Sequence, residues 1–273
     1  MISLTEKIYY FVFLILLIYF YFYYDKCSNN ILDLFDTTPK QYQSVIPLNL
    51  FTTWHTKKLP PIMEKNYESL KNINPEFNHF LYDDNDCREF IKKNYDEDVL
   101  SAFDTLIPGA YKADLWRYCV LFLEGGIYID IKFNCTNGFK LIALTEKEYF
   151  VRDRYNLGIY NALMVCKAGN PILLKLIKQI VVNTQTQFYG VNALHPTGPY
   201  LMKDFIDQDT IDKLELFNST SRKKMSKNSI TLKDTIIIKS YDEYRTEQKK
   251  FQLGLHYHIL WDQKKIYNTN TNE

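Results

Sequence analysis

The stretch from Tyr111 to Asn134, YKADLWRYCVLFLEGGIYIDIKFN, constrains the fold more than any other part of the chain. Its first half suits a helix. Leu115, Cys119 and Phe122 recur at spacings of four and three, with Leu121 beside them. Gly125-Gly126 ends that helix, because glycine tolerates the left-handed backbone of a C-terminal cap. Ile127 to Ile131 then alternates as a strand does. Ile127, Ile129 and Ile131 share one face, and Tyr128, Asp130 and Lys132 share the other. Asp114 and Arg117, three apart, stand side by side on the helix. Such a unit belongs to an α/β sheet, and it carries an Asp–Arg pair and a strand-end aspartate towards one crevice. The carboxyl ends of strands in open α/β sheets are where ligands bind. Taken pair by pair, Asp114–Arg117 also reads as a surface ion pair worth about 0.3 kcal/mol, and Asp130–Lys132 as a solvated strand end.

The flanking chain continues the alternation of strands and helices. Ile46 to Thr53 is the first expected strand, with Trp54-His55 at its end. A helix over Pro61 to Asn72 has proline in its first turn, and Asn74-Pro75 breaks the chain before a strand over Phe77 to Tyr82. Asp83-Asp84 caps a further helix running towards Asn94. Beyond the central stretch, strands are expected at Tyr149 to Asp153, Ile159 to Cys166 and Thr235 to Lys239. Asn170-Pro171 starts a helix, and His195-Pro196-Thr197-Gly198-Pro199 precedes another. Residues 217 to 231 are polar and basic and read as an exposed loop. The segment Leu255 to Trp261 reads as a strand, on which His256 and His258 share a face.

The N-terminus holds an uncharged apolar and aromatic run, Ile8 to Tyr24, bracketed by Lys7 and Lys26. As a helix it would span about 25 Å, and snorkelling lysines and interfacial tyrosines can complete a ~30 Å hydrocarbon core. A cleaved signal peptide is the alternative, but no small-residue cleavage site follows. The expected organisation is a short tail over 1–7, a transmembrane signal anchor over 8–24 and a stem over 25–45. A catalytic-sized domain over 46–267 and a disordered Asn/Thr tail over 268–273 follow. A net charge of +1 and the lack of a basic run give no sign of a nucleic-acid partner. No glycine-rich phosphate loop of the GxGxxG or GxxxxGK[ST] type occurs. The five cysteines show no metal-ligand spacing. Asn134 and Asn218 stand in glycosylation sequons, the second the more credible because its surroundings read as a polar loop.

The central stretch resembles glycosyltransferase family 32, the sugar-binding region containing a DXD motif. That family includes initiating α-1,6-mannosyltransferases, inositol-phosphorylceramide mannosyltransferases and capsular-polysaccharide transferases. Its pattern A-D-x-x-R-Y, then G-G-x-Y-x-D-x-D, stands here as Ala113-Asp114-Leu115-Trp116-Arg117-Tyr118 and Gly125-Gly126-Ile127-Tyr128-Ile129-Asp130-Ile131-Lys132. The segments around Thr53-Trp54, Leu81-Tyr82-Asp83-Asp84, Asn161-Ala162-Leu163-Met164 and Thr197-Gly198-Pro199 follow the family in the same order. The match departs at one place, where Lys132 stands in for the second aspartate.

The resemblance implies a GT-A-type, Rossmann-like nucleotide-sugar-binding fold and a retaining hexosyltransferase. It implies that Thr53 and Trp54 hold the nucleoside, that Asp114 and Arg117 bind the donor sugar, and that Asp130 meets ribose or metal. Tyr128, Asn161 and Gly198 would line the substrate pocket, while His258 and Trp261 would close over the diphosphate. The partners implied are a nucleotide-sugar donor, a glycan, glycolipid or glycoprotein acceptor, and membrane lipid through residues 8–24. By likeness to Golgi transferases the domain is expected in the Golgi or ER lumen, as a type II single-pass protein. The family's paired carboxylates imply a divalent cation, Mn2+ or Mg2+. With Lys132 there, three readings stay open. The lysine itself offsets the diphosphate, or a metal still binds through Asp130 with His258 or the tail, or catalysis is lost and binding kept.

Overall fold

The computed structural model describes residues 44–154, 158–220 and 228–268. The expected anchor over 8–24 and nearly all of the stem therefore lie outside the described residues. Among the described residues, no helix is long and apolar enough to cross a membrane.

The first half of this unit alternates as expected. Strand β1 (Asn49–Thr53) leads to helix α1 (Pro61–Ile73), strand β2 (Asn78–Tyr82), and helices α2 (Asp84–Asn94), α3 (Glu97–Thr105) and α4 (Gly109–Glu124). Strand β3 (Gly126–Ile129) follows α4 after a single residue. That abrupt reversal requires glycine twice. Gly125 has φ 62° and Gly126 φ 122°; a Cβ on Gly125 would lie 2.7 Å from the Ala168 amide, and one on Gly126 2.5 Å from the Asn49 carbonyl oxygen. Helix starts follow their cap chemistry. Asp83 and Asp86 form a reciprocal capping box on α2, and the Asp96 carboxylate accepts from the Val99 amide on α3.

Beyond β3 come β4 (Phe133–Cys135), β5 (Val151–Arg152), β6 (Leu163–Cys166) and helix α5 (Pro171–Gln185). Two short helices, α6 (Pro199–Lys203) and α7 (Gln208–Asp212), precede strands β7 (Leu216–Thr220), β8 (Asn228–Leu232) and β9 (Thr235–Ser240). The chain closes with α8 (Tyr244–Phe251) and α9 (Tyr257–Asp262).

The strands form two sheets. One has the order β2-β1-β3-β6, with β2, β1 and β3 parallel and β6 antiparallel. The other has the order β4-β9-β8-β7-β5. In the first sheet the chain leaves β1 towards β2 on one side and later returns to place β3 on the other. The connections thus diverge between β1 and β3, which is the switch point where open α/β sheets bind ligands. The architecture is α/β, as the sequence implied.

Helix α4 is the core element. Every residue from Asp114 to Leu121 is buried, and Trp116 packs edge-on against Phe51 and Tyr128. The apolar face read from Leu115, Cys119 and Phe122 is only part of what is covered. A helix enclosed all round also buries its polar residues, so Asp114 and Arg117 are not the surface pair that their spacing alone allows.

Three local expectations are corrected. The segment 217–231 is not a loop throughout: Leu216–Thr220 and Asn228–Leu232 pair as β7 and β8. Asn218 is 6% exposed and its side-chain amide donates to Asp153 Oδ1 at 2.8 Å, which removes the polar-loop argument for its sequon. Leu255 to Trp261 is not a strand but the approach to and body of α9, with the His256 side chain at its N-cap. Period-two spacing of His256 and His258 misread a segment whose Tyr257, Leu260 and Trp261 pack against the core at helical spacing.

Candidate functional site

At the carboxyl ends of β1 and β3 the parallel register pairs Phe51 with Tyr128, and Thr53 and Asp130 each follow two residues on. Thr52 Oγ1 donates to the Ile129 carbonyl at 2.7 Å and locks the two strand ends together. Strand β3 stops at Ile129, two residues earlier than the alternation predicts. A tight turn takes over, in which the Phe133 amide donates to the Asp130 carbonyl at 2.9 Å. The turn folds Lys132 back, so that its Nζ lies 2.5 Å from Asp130 Oδ2. The pairing of Asp130 with Lys132 comes from this turn and not from a shared strand face.

Four charges meet here. Arg117 Nη2 lies 3.3 Å from Asp114 Oδ1, and Arg117 Nη1 lies 3.4 Å from Asp130 Oδ1. The same guanidinium donates to the Ala113 and Asn161 carbonyls and stacks over the Tyr128 ring at 4.2 Å. Tyr128 in turn donates its hydroxyl to Asp130 Oδ1 at 2.9 Å. Asp114 is held on its other side by Thr197 Oγ1 at 2.7 Å and Asn161 Nδ2 at 2.9 Å. Gly198 completes this wall, since a Cβ there would stand 3.2 Å from Asp114 Oδ2. Asp130 is the most open of the four, with 22% of its side chain exposed against 7–11% for the others.

Burial acts on the two carboxylates with different results. It pushes the Asp114 carboxyl up, against Arg117, Thr197 and Asn161. It also opposes ionisation of Asp130, but Lys132 and Arg117 together outweigh it and hold that carboxyl below its usual value. Lys132 loses water on burial, yet Asp130 keeps its ammonium charged far above neutrality.

The structure therefore brings together Asp114, Arg117, Tyr128, Asp130, Lys132, Asn161 and Gly198. Thr53 stands at the neighbouring strand end but spends its hydroxyl on the Tyr82 carbonyl at 2.8 Å. Trp54 follows it with a buried indole N–H that has no partner among the described residues. His258 and Trp261 do not join the cluster in the way expected. His258 is exposed and stacks on His256, and Trp261 Nε1 donates to the Tyr189 carbonyl at 2.7 Å. Tyr257, between the two histidines, turns inward instead. Tyr257 packs against Tyr111 of α4, and burial together with the Asp114 charge pushes its phenol up to about 12. Thr197 reaches Asp114, and Tyr160 and Tyr244 reach Lys132, only because the folded chain carries these distant segments together. A groove of about 680 Å3 lies elsewhere, along edge strand β2 and α2, and includes none of the four charged residues.

The residues present do not fit a divalent cation. Both Asp130 oxygens are already engaged by Tyr128, Arg117 and Lys132. Among the described residues, no three His, Cys, Asp or Glu side chains gather as a ligand set, so His258 and Asp130 do not form one. A doubly charged ion about 4 Å from the Lys132 ammonium would be repelled by about 8 kcal/mol at an effective dielectric of about 20.

Residues 60–150 match the family model described as glycosyltransferase sugar-binding region containing DXD motif. Curated relatives share the likeness. Inositol phosphoceramide mannosyltransferase 3 of Schizosaccharomyces pombe is 28% identical over 160 residues, covering 58% of this chain and 44% of that protein. Mannosyl phosphorylinositol ceramide synthase SUR1 of Saccharomyces cerevisiae is 29% identical over 168 residues, 61% of this chain and 43% of its own length. The initiation-specific alpha-1,6-mannosyltransferase of Candida albicans is 30% identical over 211 residues, covering 62% and 54%. The chain thus spans about half the length of the curated relatives it matches. The matched region 60–150 holds all four charges.

Proposed function

We propose that this protein is a glycosyltransferase of GT-A type that moves a hexosyl unit from a GDP- or UDP-sugar to a glycan or lipid acceptor, with retention at the anomeric carbon. The observation that carries the reading is the position of the Asp114–Arg117–Asp130–Lys132 cluster at the switch point between β1 and β3, inside the matched region. In the transfer, the bond from the anomeric carbon to the phosphate oxygen breaks and a bond to an acceptor hydroxyl oxygen forms. The hydroxyl proton leaves with the departing diphosphate. Such a reaction needs a grip on the base and ribose, hydrogen bonds to the sugar, and charge beside the phosphates. The unpartnered Trp54 indole and the strand end at Thr53 supply the first. Asp114 and Arg117 join an acceptor to a planar donor fork and suit the second. Asp130, the more open carboxylate of the cluster, suits a contact to ribose.

The relatives named for inositol phosphoceramide and for α-1,6-mannosyl transfer support a mannosyl donor and a membrane-borne acceptor. The apolar run over 8–24 supports a single membrane anchor, and the resemblance to Golgi transferases favours a type II orientation with the domain in the Golgi or ER lumen. Donor hydrolysis screened across UDP- and GDP-sugars tests the activity. Asp130→Ala should reduce it by about a hundredfold or more. No turnover with any donor, in a protein that still binds nucleoside diphosphates, would instead establish a binding protein without catalysis.

A further inference from the structure

The DXD pattern places two carboxylates where this chain has Asp130 and Lys132, and the surroundings of Lys132 show what the exchange accomplishes. With an aspartate at 132, the four side chains would carry two net negative charges. With lysine they carry none. The exchange delivers two units of positive charge, as much as a divalent cation brings. The lysine is also held as a fixed ion. Its Nζ is bonded to Asp130 Oδ2 at 2.5 Å and faces the rings of Phe133, Tyr160 and Tyr244 at 5.0, 5.4 and 5.9 Å from their centroids. Aromatic faces attract an ammonium without neutralising it. Its backbone is pinned as well, since the Lys132 carbonyl accepts from the Tyr241 amide at 3.0 Å.

We propose that Lys132 is the built-in cation of this site, so that the diphosphate of a nucleotide sugar binds here against an ammonium and without a metal. The proposal rests on the nucleotide-sugar reading and assigns that site its electrostatic partner. One ammonium N–H goes to Asp130, and the diphosphate oxygens take the remaining donors. Tyr160, from the segment before β6, and Tyr244, from α8, wall the cation and fix the direction from which the phosphates arrive. A lysine serving only to neutralise Asp130 inside the core would leave ligand binding dependent on added metal.

The test measures binding of GDP and UDP to the full-length chain by calorimetry, in chelator and then with Mn2+. The wild type should bind one of them equally well in both. Lys132→Ala should lose about ten- to a hundredfold of that affinity, the loss of one charge-assisted contact. Mn2+ should not restore it. Lys132→Asp, which rebuilds the acidic pair, should bind poorly in chelator and recover about tenfold or more on adding Mn2+. Lys132→Arg keeps the charge and should keep metal-free binding, which guards against loss of folding in the other two. Binding by the wild type only with Mn2+ overturns the role of Lys132 and leaves the transferase reading standing. A metal-indifferent, tight-binding Lys132→Ala does the same. Failure of both diphosphates to bind with or without metal overturns the nucleotide-sugar reading itself.

Discussion

Two Asp–Arg pairs in this protein invert the usual relation between geometry and importance. On the surface, Arg88 grips Asp104 through two near-ideal hydrogen bonds of 2.8 and 2.7 Å, but both side chains are more than a third exposed. In the core, Arg117 reaches Asp114 at only 3.3 Å, with both side chains at most a tenth exposed. Water can replace either partner of the first pair. Nothing replaces Arg117, because its guanidinium also serves Asp130, two carbonyls and the Tyr128 ring. What a pair contributes is set by what stands ready to substitute for it, and the distance between its atoms decides little.

Four substitutions and conditions would break or sharpen this contrast. Arg117→Met should cost about 3–5 kcal/mol in urea unfolding, because it leaves the buried Asp114 carboxylate without its cation. A loss no greater than that of Arg88→Met would end the comparison. Glu247 sharpens it, being a buried carboxylate that two amides and a phenol hold. It accepts from the Ile62 and Met63 amides at the start of α1 and from the Tyr241 hydroxyl. Glu247→Ala should cost about 1–3 kcal/mol by the same measurement, as amides and a phenol are easier to leave unpaired than a charge.

Acid should separate the two carboxylates within the cluster. Asp130 titrates below its ordinary range, so its contribution is present above the unfolded pKa and is lost as pH falls through the folded one. The stability gap between wild type and Asp130→Asn should therefore narrow on acidification. Asp114 is shifted upward, so its contribution is complete below the unfolded pKa and is lost as pH rises through the folded value. The gap to Asp114→Asn should widen as pH falls, and parallel curves for the two variants would contradict both assignments. Last, Asp104→Asn should leave the unfolding midpoint unchanged within error, at low salt and at high.

Much of the parallel sheet was legible in the sequence because its signals are local. The Gly125-Gly126 reversal, the Asp83 cap and the Pro61 helix start each depend on residues within one turn of the chain. The three-residue spacing of Asp114 and Arg117 gave their adjacency. It did not give their burial, which comes from packing on every side of α4. Lys132 shows the same limit more sharply. Alternation put it on the strand face of Asp130, whereas a turn that begins at Asp130 carries it there. Strand length is decided by where a neighbour stops supplying hydrogen bonds, and no pattern within residues 127–132 records that. At the C-terminus, the histidines drew the eye because of their chemistry, while Tyr257 between them is the side chain turned inward.

The sequence alone determined the α/β class, the order of the elements around Gly125-Gly126, and the likeness of region 60–150 to DXD glycosyltransferases, because turns, caps and motifs act over a few residues. Tertiary structure alone decided the electrostatics. Segments some 80 residues apart in the chain, Asp114 and Thr197, share one hydrogen bond, and Tyr244 from α8 faces Lys132. The charge state and accessibility of a buried group depend on everything packed around it, and only a folded chain assembles that surrounding.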